Sequence, residues 1–275
     1  KKEVPACDYW EQVRGYAEVA VDMAKGNMSY CSALVENLDN IPQPSFSTFL
    51  DYLSSEEIKK LPEEPKYSIW KTMEAFIRKH RQFSDAKWAL PSEMVDLLEN
   101  TAKNIAPSKP EYIYRHLFLN KDYDFLDKDI DWRTRQEILL KQRIEAVKQL
   151  YKIKNTDSVI DFAEHVENPT KVGNTFAHMA NEENDNELLP TFLDSQDQYK
   201  NQFISGYIGA RYSIVGHKWI DCLHPETWSK EQRLAFLFNL PFEKEVWTKA
   251  DELLDDNGKD YWEKIIIDPL STQSD

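Results

Sequence analysis

Apolar residues recur at intervals of three and four along most of the chain, which is the spacing of one face of an α-helix. The first such stripe predicts a helix that ends before Gly26, and it consists of Trp10, Val13, Ala17, Ala20 and Ala24. Comparable stripes follow at 69–80, 94–105 and 140–151. The sequence therefore predicts an all-α fold.

In five places an aliphatic residue runs directly into a proline: Ile41-Pro42, Leu61-Pro62, Leu90-Pro91, Leu189-Pro190 and Leu240-Pro241. Proline has no N–H to lose and a φ suited to the first helical turn. Each pair therefore predicts the start of a helix held by a buried side chain. The spacing of the pairs is irregular, which favours an irregular α-solenoid of stacked antiparallel helix hairpins with degenerate repeats.

An acidic segment at 121–132 is the predicted linker between two subdomains. It separates an N-terminal helical subdomain, 1–120, from a C-terminal helical-repeat subdomain, 133–275, although one continuous array is an alternative. Thr134 and Glu137 have the spacing of a capping box and predict the start of the next helix there. Farther on, the polar run 181–187 is predicted to be a loop.

Composition narrows the classes of partner. The chain carries 34 basic and 48 acidic side chains, a formal net charge of −14, and only 7 glycines. Such a surface repels phosphate backbones and anionic membranes, so nucleic acid is an unfavoured partner and a basic or amphipathic protein is favoured. Apolar runs are too short to span a membrane, which predicts no membrane association.

Cysteine usage bears on the compartment. Cys7, Cys31 and Cys222 are odd in number and far apart, which gives neither a disulfide framework nor a paired metal motif. A reducing, cytoplasmic location is therefore predicted. The chain begins without methionine, and we expect it to be a segment of a longer protein.

One constellation resembles a metal site. His217, Asp221 and His224 are spaced i, i+4, i+7, which on a continuous helix would give two imidazoles and a carboxylate for zinc or iron. Gly216 and Pro225 bracket the segment and predict a break in that helix. Ordinary structural histidines are the favoured interpretation, and a helical metal-dependent enzyme with a site near 217–224 is the alternative.

Two other charged motifs are weaker candidates for binding sites. Asp127, Asp129 and Asp131 imitate half of a calcium loop, but Trp132 and Ile138 stand where glycine and glutamate are required, so a solvated linker is favoured. The basic cluster 78–81 supports a second alternative, a nucleic-acid-binding module. A solvated helix end explains that cluster more simply.

A run of small residues predicts close helix packing. Ser205, Gly206, Gly209 and Ala210 interrupt an otherwise apolar and aromatic helix, and glycine in a helix needs a packing reason. We therefore expect a neighbouring helix to cross there. Arg211 is either buried against a carboxylate of an adjacent hairpin or exposed, and the sequence leaves both open.

The second half resembles α-helical repeat regions of large, poorly characterised bacterial multidomain proteins. The resemblance rests on 159–169, Leu188-Leu189-Pro190, the Gly206 to Tyr212 segment, Trp228 and 237–241. It implies a fold and no reaction. We therefore expect a non-catalytic scaffold or protein-interaction segment of a larger intracellular protein, without cofactor or catalytic residues of its own, whose parent carries any activity in another domain.

Overall fold

The computed structural model describes residues 6–41, 43–120 and 131–265, and these form α-helices and short 3₁₀ turns without any strand. The all-α prediction is confirmed. The chain divides into two compact units, 1–113 and 114–275. Of the predicted linker, residues 121–130 lie outside the described residues, and the predicted boundaries at 120 and 133 stay predictions.

Unit 1 contains seven helices within its described residues. They are α1 (Ala6–Ala24), α2 (Met28–Glu36), α3 (Gln43–Leu53), α4 (Glu56–Lys59), α5 (Glu63–Gln82), α6 (Ser92–Ile105) and α7 (Pro110–Ile113). A 3₁₀ turn, Leu38–Asn40, follows α2. Gly26 has a φ of +73° just beyond α1, as the predicted stop requires. The apolar faces of α1 to α6 share one core that includes Phe49, Met73 and Leu98.

Two of the five prolines stand directly before a helix in unit 1. Pro62 and Pro91 are the residues that precede α5 and α6, and both have φ near −57° with extended ψ. Each supplies the turn into the helix, one position earlier than the predicted first helical residue. Pro42 lies outside the described residues.

Unit 2 contains the remaining helices of the described residues. They are α8 (Trp132–Glu164), α9 (Pro169–Ala177), α10 (Glu182–Phe192), α11 (Gln198–Val215), α12 (Lys218–Cys222), α13 (Lys230–Phe238), α14 (Lys244–Leu253) and α15 (Asp255–Lys264). Tyr114–Phe118 and Pro225–Thr227 are 3₁₀ turns. The core of this unit is rich in aromatic side chains, including Phe162, Phe176, Phe203, Tyr207 and Phe236.

Helix α8 is broken in the middle. Lys154 and Asn155 have non-helical dihedral angles, and Asn155 has φ +51° and ψ −135°. The hydroxyl of Ser158 bridges the break, since it donates to the carbonyl of Leu150 at 2.6 Å and accepts from the backbone N–H of Lys154 at 3.2 Å. Asp131 is the N-cap, since its carboxylate accepts from the backbone N–H groups of Arg133 and Thr134, so the helix begins at Trp132 and not at the predicted capping box of Thr134.

The predicted loop at 181–187 is wrong, because Asn181 caps α10 and residues 182–187 form the first half of that helix. Asn181 and Asn184 make a reciprocal capping box, and the acidic first turn suits the positive end of the helix dipole. Pro190 therefore lies inside α10 and does not start a helix. Because proline has no N–H, this position lacks the backbone hydrogen bond that a residue inside a helix makes to the carbonyl four residues earlier.

Helices α9 and α11 cross at two glycines, as the run of small residues predicted. A Cβ on Gly206 would lie 2.0 Å from the carbonyl oxygen of Thr170, and a Cβ on Gly173 would lie 1.9 Å from that of Phe203. Side chains at either position would force the backbones apart. Gly209, in contrast, has nothing within 4 Å of its Cβ position and is not part of the crossing.

Among the described residues, no helix combines the length and the apolar character that crossing a bilayer requires.

Candidate functional site

The three predicted metal ligands do not share a helical face. His217 is the residue before the short helix α12, Asp221 lies within it, and His224 follows it with a left-handed φ of +52°. Asp221 instead pairs with Lys249 at 2.7 Å, and His224 Nδ1 lies 3.1 Å from Glu226. Over the ranges that the structure describes, no group of three or more histidine, cysteine or acidic residues is arranged to hold a metal ion.

The basic cluster 78–81 is occupied by contacts within unit 1. Arg81 pairs with Glu99 at 2.8 Å and with Asp96, so two carboxylates neutralise it. His80 is buried and its Nδ1 accepts a hydrogen bond from the backbone N–H of Leu90 at 3.0 Å. The ammonium of Lys79 lies over the ring of Trp88. These contacts organise the end of α5 and leave little positive charge for a phosphate backbone.

The most elaborate polar arrangement in unit 2 is centred on Asp185 of α10. Its side chain is buried, and Arg211 of α11 binds both of its oxygens, through Nε at 3.0 Å and Nη2 at 2.6 Å. Arg211 itself is only 7% exposed. Of the two alternatives left open by the sequence, the buried arginine with a carboxylate partner is therefore correct.

Two further side chains complete this cluster, which we call the Asp185 cluster (Asp185, Tyr207, Arg211 and Trp219). Tyr207 donates its hydroxyl to one carboxylate oxygen at 2.5 Å, and the indole N–H of Trp219 donates to the other at 2.9 Å. The guanidinium also lies 5.8 Å from the centre of the Trp219 ring. Each oxygen of Asp185 thus accepts two hydrogen bonds.

The electrostatics of the cluster favour a fixed ion pair. Burial and the hydrogen bond to Asp185 both raise the pKa of Tyr207, so this phenol stays protonated. Burial opposes the charge on Arg211, but the hydrogen bond and the charge of Asp185 prevail and its pKa is raised. A carboxylate whose lone pairs all accept hydrogen bonds has no free position for a substrate proton. The cluster instead links α10, α11 and α12 through these hydrogen bonds and acts as a buried clamp between the three helices.

Three members of the Asp185 cluster, Asp185, Arg211 and Trp219, form the buried floor of a pocket of about 90 Å³ between α10, α11 and α12. Glu182 and Asn186 stand on one side of it, and Val215 and Leu223 provide apolar walls. Glu182, Asn186 and Val215 are exposed, so the pocket opens to solvent. This pocket lies beside the segment that the sequence singled out, but it uses none of the three predicted metal ligands.

A second surface feature lies on α13 to α15 and on the connection between α13 and α14, and we call it the aromatic patch (Phe238, Phe242, Trp247 and Trp262). Phe242, Trp247 and Trp262 contact one another with ring centres 4.7 to 6.4 Å apart. The indole N–H of Trp262 donates to Asp251 at 3.1 Å, which fixes the ring. Trp262 is nevertheless 39% exposed and Phe238 37% exposed.

Sequence reasoning misses Asp185 and the aromatic patch for different reasons. The polar composition of 181–187 predicts a loop around Asp185, although Leu188, Leu189 and Phe192 continue from it with helical spacing and Asn181 is a good N-cap. The patch combines residues of three helices, and their proximity depends on tertiary packing. No pattern within one helix marks it.

Searches of protein-family models, curated proteins and solved structures returned no match to this chain. The resemblance to bacterial helical-repeat regions stays a prediction.

Proposed function

We propose that this chain is a non-catalytic helical-repeat module that binds another protein, within a larger bacterial protein of the cytoplasm. The observation that carries the proposal is the aromatic patch. Aromatic residues are enriched at the centres of protein interfaces, where a few of them supply most of the binding energy. Ring contacts among Phe242, Trp247 and Trp262 and the bond from Trp262 to Asp251 hold these three side chains in place, so little rotamer freedom remains to be lost on binding.

The polar clusters support the non-catalytic part of the proposal. The Asp185 carboxylate is saturated by donors, and the basic cluster 78–81 is engaged by acidic and aromatic neighbours. These contacts stabilise helix packing. They leave none of these groups in the free state that acid, base or nucleophilic chemistry requires.

The repeat part of the proposal draws on the order in which helices pack. Sequence neighbours such as α5 with α6, α8 with α9 and α14 with α15 pack together, and so do next-nearest helices such as α9 with α11 and α13 with α15. Hairpins stacked along a repeat array pack in both ways.

Selection from a display library of short random peptides on the immobilised chain tests the function. We expect enriched peptides to be basic and amphipathic, and the Trp262→Ala variant to bind them about tenfold more weakly. Trp132→Ala is the matched control, because Trp132 is an exposed tryptophan outside the patch. Absence of enrichment, or equal losses in the two variants, would refute the proposal.

A further inference from the structure

We propose that the pocket above the Asp185 cluster receives an arginine or lysine side chain of the protein partner. This inference rests on the proposed function and adds the chemistry of one contact. The pocket has a volume of about 90 Å³. Since a water molecule needs roughly 10–15 Å³ of such volume, the space suffices for the end of a long side chain.

The charge of the pocket favours a cation. Arg211 contributes a positive charge at the floor, but both oxygens of Asp185 bind it, so this pair is close to neutral as seen from the pocket. Glu182 is then the charge that remains at the rim. It is exposed and makes no ion pair with any described residue.

An anion fits the pocket poorly, because Glu182 would repel it while the positive charge of Arg211 is already matched. A cation gains from Glu182 and from the side-chain oxygen of Asn186, which also lines the rim. The formal net charge of −14 attracts basic partners toward the chain as a whole.

The walls suit the stem of a long basic side chain. Val215 and Leu223 are apolar, and Val215 is exposed at the end of α11. Lysine and arginine bury their methylene groups along such surfaces while the charged head finds a polar partner. The buried clamp below keeps these walls in place, so the pocket is formed before the side chain arrives.

An NMR titration of the isotope-labelled chain tests this inference with Nα-acetyl-arginine amide as the probe. The backbone amide signals of Asn186 and Cys222, which line the pocket, are expected to shift to saturation. Nα-acetyl-citrulline amide has nearly the same shape without the charge, and we expect it to bind at least about fivefold more weakly.

Two glutamine variants identify the residue responsible. Glu182→Gln is expected to weaken arginine-amide binding by about fivefold. Glu183→Gln removes the same charge from the next residue, which is exposed but does not line the pocket, and less than about a twofold change is expected. Equal binding of arginine and citrulline amides, equal losses in both variants, or no saturable shift would each overturn the inference.

The titration probes the pocket alone. Its failure would overturn the arginine or lysine contact and leave the proposed function standing on the aromatic patch. Peptide selection that fails while the arginine amide still binds would instead refute the proposed function.

Discussion

At the scale of single residues, Asp185 is the buried charge around which the polar side chains of α11 and α12 are arranged in unit 2. Three side chains from α11 and α12 donate to one buried carboxylate, and the guanidinium among them has little access to water. Such an arrangement is stable only when it is complete, because each partner left alone would be a buried polar group without compensation.

We predict that Asp185→Asn lowers the free energy of unfolding by about 3–5 kcal/mol, because Arg211 would stay buried without its counter-charge. Urea unfolding at neutral pH measures the loss. Tyr207→Phe removes one hydrogen bond to the same carboxylate and should cost about 2 kcal/mol. A loss of less than about 1 kcal/mol for Asp185→Asn would show that the pair contributes little.

A second residue-scale prediction concerns Asn155 in the break of α8. Its φ of +51° with ψ of −135° is a conformation that glycine adopts at much lower cost than residues with a Cβ. Asn155→Gly should therefore raise the free energy of unfolding by about 1 kcal/mol, measured by thermal or urea unfolding. Asn155→Ala is the control and should not stabilise. A destabilising glycine would contradict the argument.

The sequence could show that Arg211 needs a partner when buried, but it could not show which carboxylate that partner is. Several acidic residues precede Arg211 in the chain, and only the packing of α10 against α11 brings Asp185 within reach. Residue types indicate which side chains are charged and which need a partner when buried, whereas the identity of the partner depends on the tertiary structure.

At the scale of helices, local patterns were sufficient where the helix end is determined by neighbouring residues. Ser229 and Gln232 form a capping box at the start of α13, and Asn168 caps α9 with Pro169 as its first residue, so in both cases residues close in sequence determine where the helix starts. The patterns failed at 181–187 and at Pro190, where polar composition and a proline suggested a loop and a helix start. There Asp185, Leu188 and Leu189 are buried within unit 2, and this burial outweighs the preference of the polar residues for a loop.

The crossing of α9 and α11 yields a prediction with an internal control. Gly206→Ala should lower the free energy of unfolding by several kcal/mol, because its Cβ would overlap the carbonyl of Thr170. Gly209→Ala lies one turn away in open space and should stabilise by about 0.5–1 kcal/mol through helix propensity. Urea unfolding of both variants tests this, and similar effects at the two sites would contradict it.

A pH-dependent prediction concerns the start of α5. Burial opposes ionisation of Glu63, but hydrogen bonds from the backbone and hydroxyl of Ser108 and from the backbone of Lys109 lower its pKa below the ordinary value of 4.5. The contribution of ionised Glu63 to the free energy of unfolding is therefore complete above about pH 4.5, and it is lost as the pH falls through the folded-state pKa.

Glu63→Gln should accordingly be less stable than the unmodified chain near pH 6, and the difference should shrink as the solution is acidified below about pH 4. Urea unfolding across this range measures it. Glu93→Gln, at the exposed first turn of α6, is the control; Glu93 accepts no such hydrogen bonds from the described residues, so the stability difference should change less with pH than for Glu63→Gln. A Glu63→Gln difference that does not change with pH would contradict the assignment.

At the scale of the whole molecule, each unit has its own buried apolar cluster. We therefore expect each to behave as its own cooperative unit in native-state hydrogen exchange. Leu98→Ala in unit 1 should speed exchange mainly within 6–113, and Leu189→Ala in unit 2 mainly within 114–120 and 131–265. Each change should cost about 2–5 kcal/mol. Faster exchange throughout the chain from either variant would argue against independent units.

The glycine contacts between α9 and α11 also determine the register of the two helices. Sliding α11 by one residue would place Ser205 or Tyr207 against Thr170, at a point where a Cβ would lie 2.0 Å from the carbonyl oxygen of Thr170. The crossing thus excludes a shift of α11 by one residue in either direction. Arg211 follows Gly206 by five residues on the same helix, so the position without a side chain also determines where the buried charge meets Asp185.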